Sequence, residues 1–249
     1  MKYHPLPLML LLFLLGYGCT ADQQEFGLQA ERSYVDLLYA LQAGDQPGSL
    51  AAAAALDRPV RELRQRWYRP RPADELDRMR YHVDLAECAY EDARESIEDG
   101  QLDWAMVQLD RAVYELRAGD QASLEELYVG SIYDFVAAWL EVDYLLRDPA
   151  ELPSGQLLGS CSRDARRAWR AVKGTRPATD LYFDRGVDRQ AFAAAHATLN
   201  GEVEAFYRAA QGKDQTAIRA LGHSVSEAMW DLLLLFASPR PAPGGVHPM

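Results

Sequence analysis

Apolar residues recur every three to four positions along most of this chain, the spacing of one face of an α-helix. Over 28–43 the stripe is Leu28, Ala30, Tyr34, Leu37, Leu38 and Leu41, and Ala43-Gly44-Asp45 ends it as a glycine C-cap and polar turn. A second stripe runs from Leu50 to Trp67, where Pro59 predicts an interruption and Pro70-Arg71-Pro72 an end. The third starts near Asp74, carries Leu76, Met79, Val83, Ala86, Tyr90, Ala93 and Ile97, and stops at Asp99-Gly100. A fourth places Trp104, Met106, Val107, Leu109, Val113 and Leu116 on a helix that ends at Gly119-Asp120. Leu124 to Leu146 gives the most apolar pattern, with Leu127, Ile132, Phe135, Val136, Trp139 and Val142, and predicts a central fifth helix.

Two prolines and a glycine within 147–155 break any helix and make 148–155 the best linker. Beyond it the pattern predicts a helix at about 156–173 and a hairpin of helices at 184–211 and 214–237, turning at Gly212-Lys213-Asp214. The Pro- and Gly-rich tail 238–249 has the composition of a disordered segment. Strand formers are scarce, with Ile only at 97, 132 and 218, while Ala, Leu, Glu, Arg and Gln dominate. The expected fold is all-α, an antiparallel helical bundle built from helix hairpins. Spacing leaves open whether 28–147 and 156–237 share one core or form two packed sub-bundles.

A helix-Gly-Asp joint recurs at Leu41–Gln46, Leu116–Gln121 and, less closely, Ala210–Gln215, as expected where short loops connect antiparallel neighbours. The stretch Glu98–Ala105 resembles the turn and first helix of a tetratricopeptide repeat, yet no period of about 34 residues links the joints, as arrays of that kind require.

The N-terminus follows a different pattern. Lys2 precedes the apolar run Leu6–Leu15, and Gly16-Tyr17-Gly18-Cys19 follows. A positive start, a short apolar run and small residues before a cut make an export signal, and the run is shorter than the ~20 residues a spanning helix needs. Leu15-Gly16-Tyr17-Gly18-Cys19 resembles the bacterial lipobox, although Gly16 stands where that family usually has Leu and Tyr17 where it has Ala or Ser. The resemblance implies removal of residues 1–18 and a covalent diacylglycerol and acyl lipid on Cys19, with 19–27 as the tether. Thr20 lies where Asp would retain an enterobacterial lipoprotein in the inner membrane. The resemblance therefore implies an envelope protein anchored through its lipid to an outer membrane and facing the periplasm.

Charge narrows the partners. The chain carries 26 Lys+Arg against 37 Asp+Glu, a net −11, and loss of Lys2 would give 25 against 37, or −12. Such a surface repels phosphate backbones and excludes nucleic acid as the expected partner. Cys88 and Cys161 remain besides Cys19, and in an oxidising compartment they are a possible disulfide that sequence alone cannot decide.

Candidate chemistry is sparse. There is no Gly-x-Ser-x-Gly elbow, His-Glu-x-x-His, phosphate loop or Gly-x-Gly-x-x-Gly, so catalysis is not expected. His223 and Glu227 lie one turn apart, as metal ligands often do. They point away from the stripe Ile218, Leu221, Val225, Met229, Leu232 and Phe236, which favours a solvated pair. His196 lies beside the stripe Phe192, Ala195, Leu199, Val203 and Phe206 and is level with Glu227 across the hairpin. His196, His223 and Glu227 are thus weak metal candidates.

The last hairpin resembles the final two helices of the cytochrome b562 and c′ bundles in cadence. The Cys-x-x-Cys-His run for covalent haem is missing, and no spacing selects Met79 or Met106 as an axial ligand. No cofactor other than the lipid is expected. Tyr and Trp occur on every helix, where they line core edges or form interfaces. The leading expectation is a lipid-anchored scaffold or interaction module for an unidentified envelope protein. A metal, haem or small-ligand binding bundle is the alternative.

Overall fold

The stripes become helices in a computed structural model that describes residues 25, 27–67, 73–125, 127–147, 155–212 and 214–239. The lipobox, Cys19, the linker 148–154 and the tail beyond 239 lie outside the described residues. The helices are α1 (27–42), α2 (Gln46–Trp67), α3 (Ala73–Glu98), α4 (Leu102–Glu125), α5 (Tyr128–Ser131), α6 (Tyr133–Leu146), α7 (Gly155–Val172), α8 (Arg189–Ala210) and α9 (Gln215–Leu233). Short 3-10 turns occupy Phe183–Arg185 and Leu234–Phe236. No strand occurs among the described residues, and the fold is an all-α helical bundle.

Gly44 and Gly100 end α1 and α3 at φ +70° and +74°, a left-handed conformation that glycine adopts without a Cβ penalty. Asp45 and Asp214 begin the helices that follow two of the Gly-Asp joints. Their Oδ1 atoms accept from Gly48 N at 3.0 Å and Ala217 N at 3.1 Å, satisfying backbone donors with no partner inside the helix.

The third joint behaves differently: α4 runs straight through Gly119-Asp120. A Cβ on Gly119 would lie 3.1 Å from His82 Cβ, so this glycine serves close approach of α3 and α4 rather than a cap. Three other expectations change. α2 passes through Pro59 without a break, and Arg61 Nε donates to the Asp57 carbonyl at 3.3 Å across that stretch. The expected fifth helix from Leu124 is divided among the end of α4, α5 and α6, with Ile132 between the last two, and side chains from elsewhere in the chain hold the first N–H groups of α5. Glu31 Oε1 accepts from Val129 N at 2.6 Å, and the Tyr182 hydroxyl accepts from Tyr128 N at 2.8 Å. Finally, α8 starts at Arg189 rather than 184, capped by Asp188 Oδ1 accepting from Ala191 N at 2.7 Å.

α3 packs on α4, α6 on α7 and α8 on α9, with α6 also against α9 and α7 against α8. One continuous buried core extends from Leu28 to Phe236, so the two helical regions share it rather than forming separate sub-bundles. Its centre is aromatic: Trp139 meets Phe206 edge-on at 5.0 Å, and Phe135 lies 4.9 Å from Trp169. α1 ties the halves together. Tyr39 packs edge-on against Trp230 at 5.3 Å, and Gln42 Nε2 donates to Asp143 Oδ2 at 2.6 Å. Asp143 also accepts from Ser226 Oγ at 2.6 Å, and Ser226 in turn accepts from Trp139 Nε1 at 3.0 Å, so this buried polar chain is satisfied.

Candidate interaction surface

α4 buries one face and leaves an unusual one outside. Ala105, Leu109 and Ala112 are in the core, whereas Trp104, Val107 and Tyr114 are 54, 52 and 62 % exposed. Positions 104, 107, 111 and 114 repeat at three and four residues, so these side chains and the exposed Arg111 share one face of the helix. The apolar spacing places Trp104 and Val107 on the helix's buried stripe, but in the structure both face outward. Tyr144 of α6 is 62 % exposed as well. The Arg147–Asp103 ion pair, at 3.0 Å, fastens this end of α6 to the start of α4 beside Trp104.

The backing of this face is firm. His82 Nδ1 and Glu115 Oε2 lie 2.8 Å apart across α3 and α4, Arg78 Nη2 donates to the Ala118 carbonyl at 3.2 Å, and Gly119 lets the two helices close. On the α6 side the Tyr133 hydroxyl donates to Asp110 Oδ1, and burial pushes the Asp110 carboxyl above its ordinary range. Arg117 pairs with Asp134 at 2.7 Å and lies over the Tyr133 ring at 5.1 Å. Aromatic side chains and arginine on a rigid support are the composition of interface centres, whose contact carries little ordering cost.

No family model, no curated protein and no solved structure matches the chain. The physical chemistry of its own residues therefore carries the functional reading.

The residues singled out from sequence do not converge. His223 Nε2 and Glu227 Oε1 are 3.2 Å apart with both side chains largely in solvent, as their phase on α9 predicted. His196 is half-buried against Trp169 and Phe192, with ring centroids at 5.0 and 5.6 Å, and Arg176 Nη1 lies 3.4 Å from its Nε2. Burial, reinforced by the Arg176 charge, holds His196 below the usual imidazole range. Among the described residues no group of three His, Cys, Asp or Glu is placed to hold a metal. Cys88 is exposed on α3 and Cys161 buried on α7, and both are free thiols, so the disulfide considered from sequence is not formed here. Burial, with Glu141 alongside, pushes the Cys161 thiol up and away from nucleophilic reactivity.

One titratable group that sequence reasoning missed is Glu31. Burial raises its carboxyl to about 7, against the opposing hydrogen bonds from Tyr182 and the Val129 N–H. It borders a cavity of about 460 Å³ between α1, the Leu181–Val187 segment and the Leu234–Pro239 end. Both its oxygens are committed, Oε1 to Val129 N and Oε2 to the Tyr182 hydroxyl at 2.7 Å. Its geometry is that of a cap supplied to α5 from α1, and that role accounts for its burial.

Proposed function

We propose that the protein is a lipid-anchored interaction module of the cell envelope, held to the membrane through Cys19 and presenting the Trp104–Tyr114 face of α4 to a partner protein. The observation that carries this reading is that exposed face: three large apolar side chains and an arginine in register on a helix whose opposite side is fully packed. The lipobox-like leader supplies the address. No helix among the described residues is long and apolar enough to cross a membrane. The partner surface that suits this face is apolar at its centre, since burying Trp104, Val107 and Tyr114 releases water from all three.

Replacing Trp104, Val107 and Tyr114 with Ala tests the face. Exposed truncations of this kind change folding stability by only about 0.5 kcal/mol each, while loss of aromatic anchors weakens association by roughly 2 kcal/mol or more, a factor of about 30. Capture of the partner by the intact lipoprotein is expected, and loss of that capture in the folded triple variant. Equal capture by both proteins removes this face from the account. The anchor has its own test. Cys19→Ala is expected to abolish the lipid mass of the N-terminus and release the protein from the membrane fraction; a variant that stays membrane-bound refutes the anchor.

A further inference from the structure

Residues 176–197 line an open cleft of about 480 Å³ whose lining holds no carboxylate. Two guanidiniums stand at it. Arg189, the first residue of α8, lies over the Phe183 ring at 4.5 Å and reaches Asp184 only at 4.0 Å, too far for a hydrogen bond. Arg176 uses Nη1 to hold its loop, donating to the Lys173 and Thr175 carbonyls at 2.9 Å. Its Nη2 and Nε have no partner among the described residues. The apolar part of the lining is Pro177, Phe183 and Phe192, the two rings 5.9 Å apart and set edge-to-face at 67°, with Phe183 the more exposed of the two.

His196 completes the cleft, fixed from behind by Trp169. Behind Phe192 the Tyr128 ring packs edge-on at 5.3 Å, and its hydroxyl is buried with no hydrogen-bond partner. A cleft lined by Pro177 and two aromatic rings, with two cations at its edge, has the chemistry of a ligand site.

The geometry points to a binding site for a small organic anion, with its carboxylate between Arg176 and Arg189 and a flat apolar ring against Phe183, Phe192 and Pro177. Guanidiniums suit carboxylates because their paired N–H donors match the two oxygens, and they stack on aromatic faces, as Arg189 already does on Phe183. The volume fits a one- or two-ring molecule. The site shares no residue with the α4 face, so either can stand without the other.

Titration of the full-length protein, labelled with 13C at histidine, with 2-naphthoate tests the site by NMR. The His196 ring resonance is expected to shift saturably. Arg189→Gln is expected to weaken binding about 5-fold or more, and the Arg176→Gln/Arg189→Gln pair about 10-fold or more, by loss of charge-assisted hydrogen bonds. Arg189 makes no hydrogen bond that holds its loop, so its variant keeps the fold and the circular dichroism spectrum of the parent even if Arg176→Gln loosens its own loop. The neutral 2-naphthamide is expected to bind about 10-fold more weakly than the acid. Three results overturn the proposal: no saturable shift at His196, equal binding of acid and amide, or inorganic phosphate binding at the same arginines as tightly as 2-naphthoate.

Discussion

Trp169→Ala is expected to cost about 3–5 kcal/mol of folding stability, the range for emptying a buried tryptophan site. Trp169 is fully buried on α7, where it touches Phe135 of α6 and His196 of α8 and donates from Nε1 to Asn200 Oδ1 at 3.1 Å. Removing it opens a void where three helices meet, and the backbone there cannot collapse to fill it without moving α6, which α9 and α1 hold from the other side. Against a total stability of about 5–15 kcal/mol for a domain of this kind, that loss is about a fifth or more. Urea unfolding measures it directly. Trp169→Phe keeps most of the packing and gives up the hydrogen bond, so its loss is about 1–2 kcal/mol. Equal losses in the two variants would mean that the indole N–H, not the volume, holds this junction.

The second large effect is a pH dependence. Glu31 has its carboxyl raised from 4.5 to about 7 by burial. Between those values the folded chain holds a proton that the unfolded chain has released, so stability falls as pH rises through that window. The contribution is fully present below about pH 4.5 and lost above about pH 7, a change of about 3 kcal/mol at 1.36 kcal/mol per pH unit. Glu31→Gln cannot titrate. The stability of the natural protein minus that of Glu31→Gln is therefore expected to decline by that amount between pH 4.5 and 7.5 in paired urea titrations. A difference that stays flat over the window would show that Glu31 loses its proton at the same pH in the folded chain as in the unfolded one.

Much of the helical order was legible from spacing, and the exceptions share a cause. The ends of α1 and α3 could be read because Gly44 and Gly100 act within their own turns. Gly119 reads identically in sequence, yet its reason is His82, 37 positions earlier on another helix. The break before α5 was invisible for the same reason, since its caps come from Glu31 and Tyr182. Trp104 and Val107 fit a helical stripe, but Ala105, Leu109 and Ala112 form a second one, and only packing decides which faces inward. Small alanines proved to be the buried set, because α3 and α4 approach closely. His223 and Glu227 were correctly placed in solvent by phase alone, the stripe on α9 being unambiguous. The cleft beside His196 left no local signal: Arg176, Arg189 and Phe183 meet there only because the 173–188 segment folds back onto α8.

We propose that the Trp104–Tyr114 face of α4 contacts a partner protein at the membrane. Site-specific photo-crosslinking in intact cells tests this contact, with the reactive group at position 107 and, as a control, at the exposed position 167 on α7. A discrete adduct of one size is expected from position 107, absent from position 167 and absent when Trp104 and Tyr114 are replaced by Ala. No discrete adduct from position 107, or the same adduct from both positions, would contradict it.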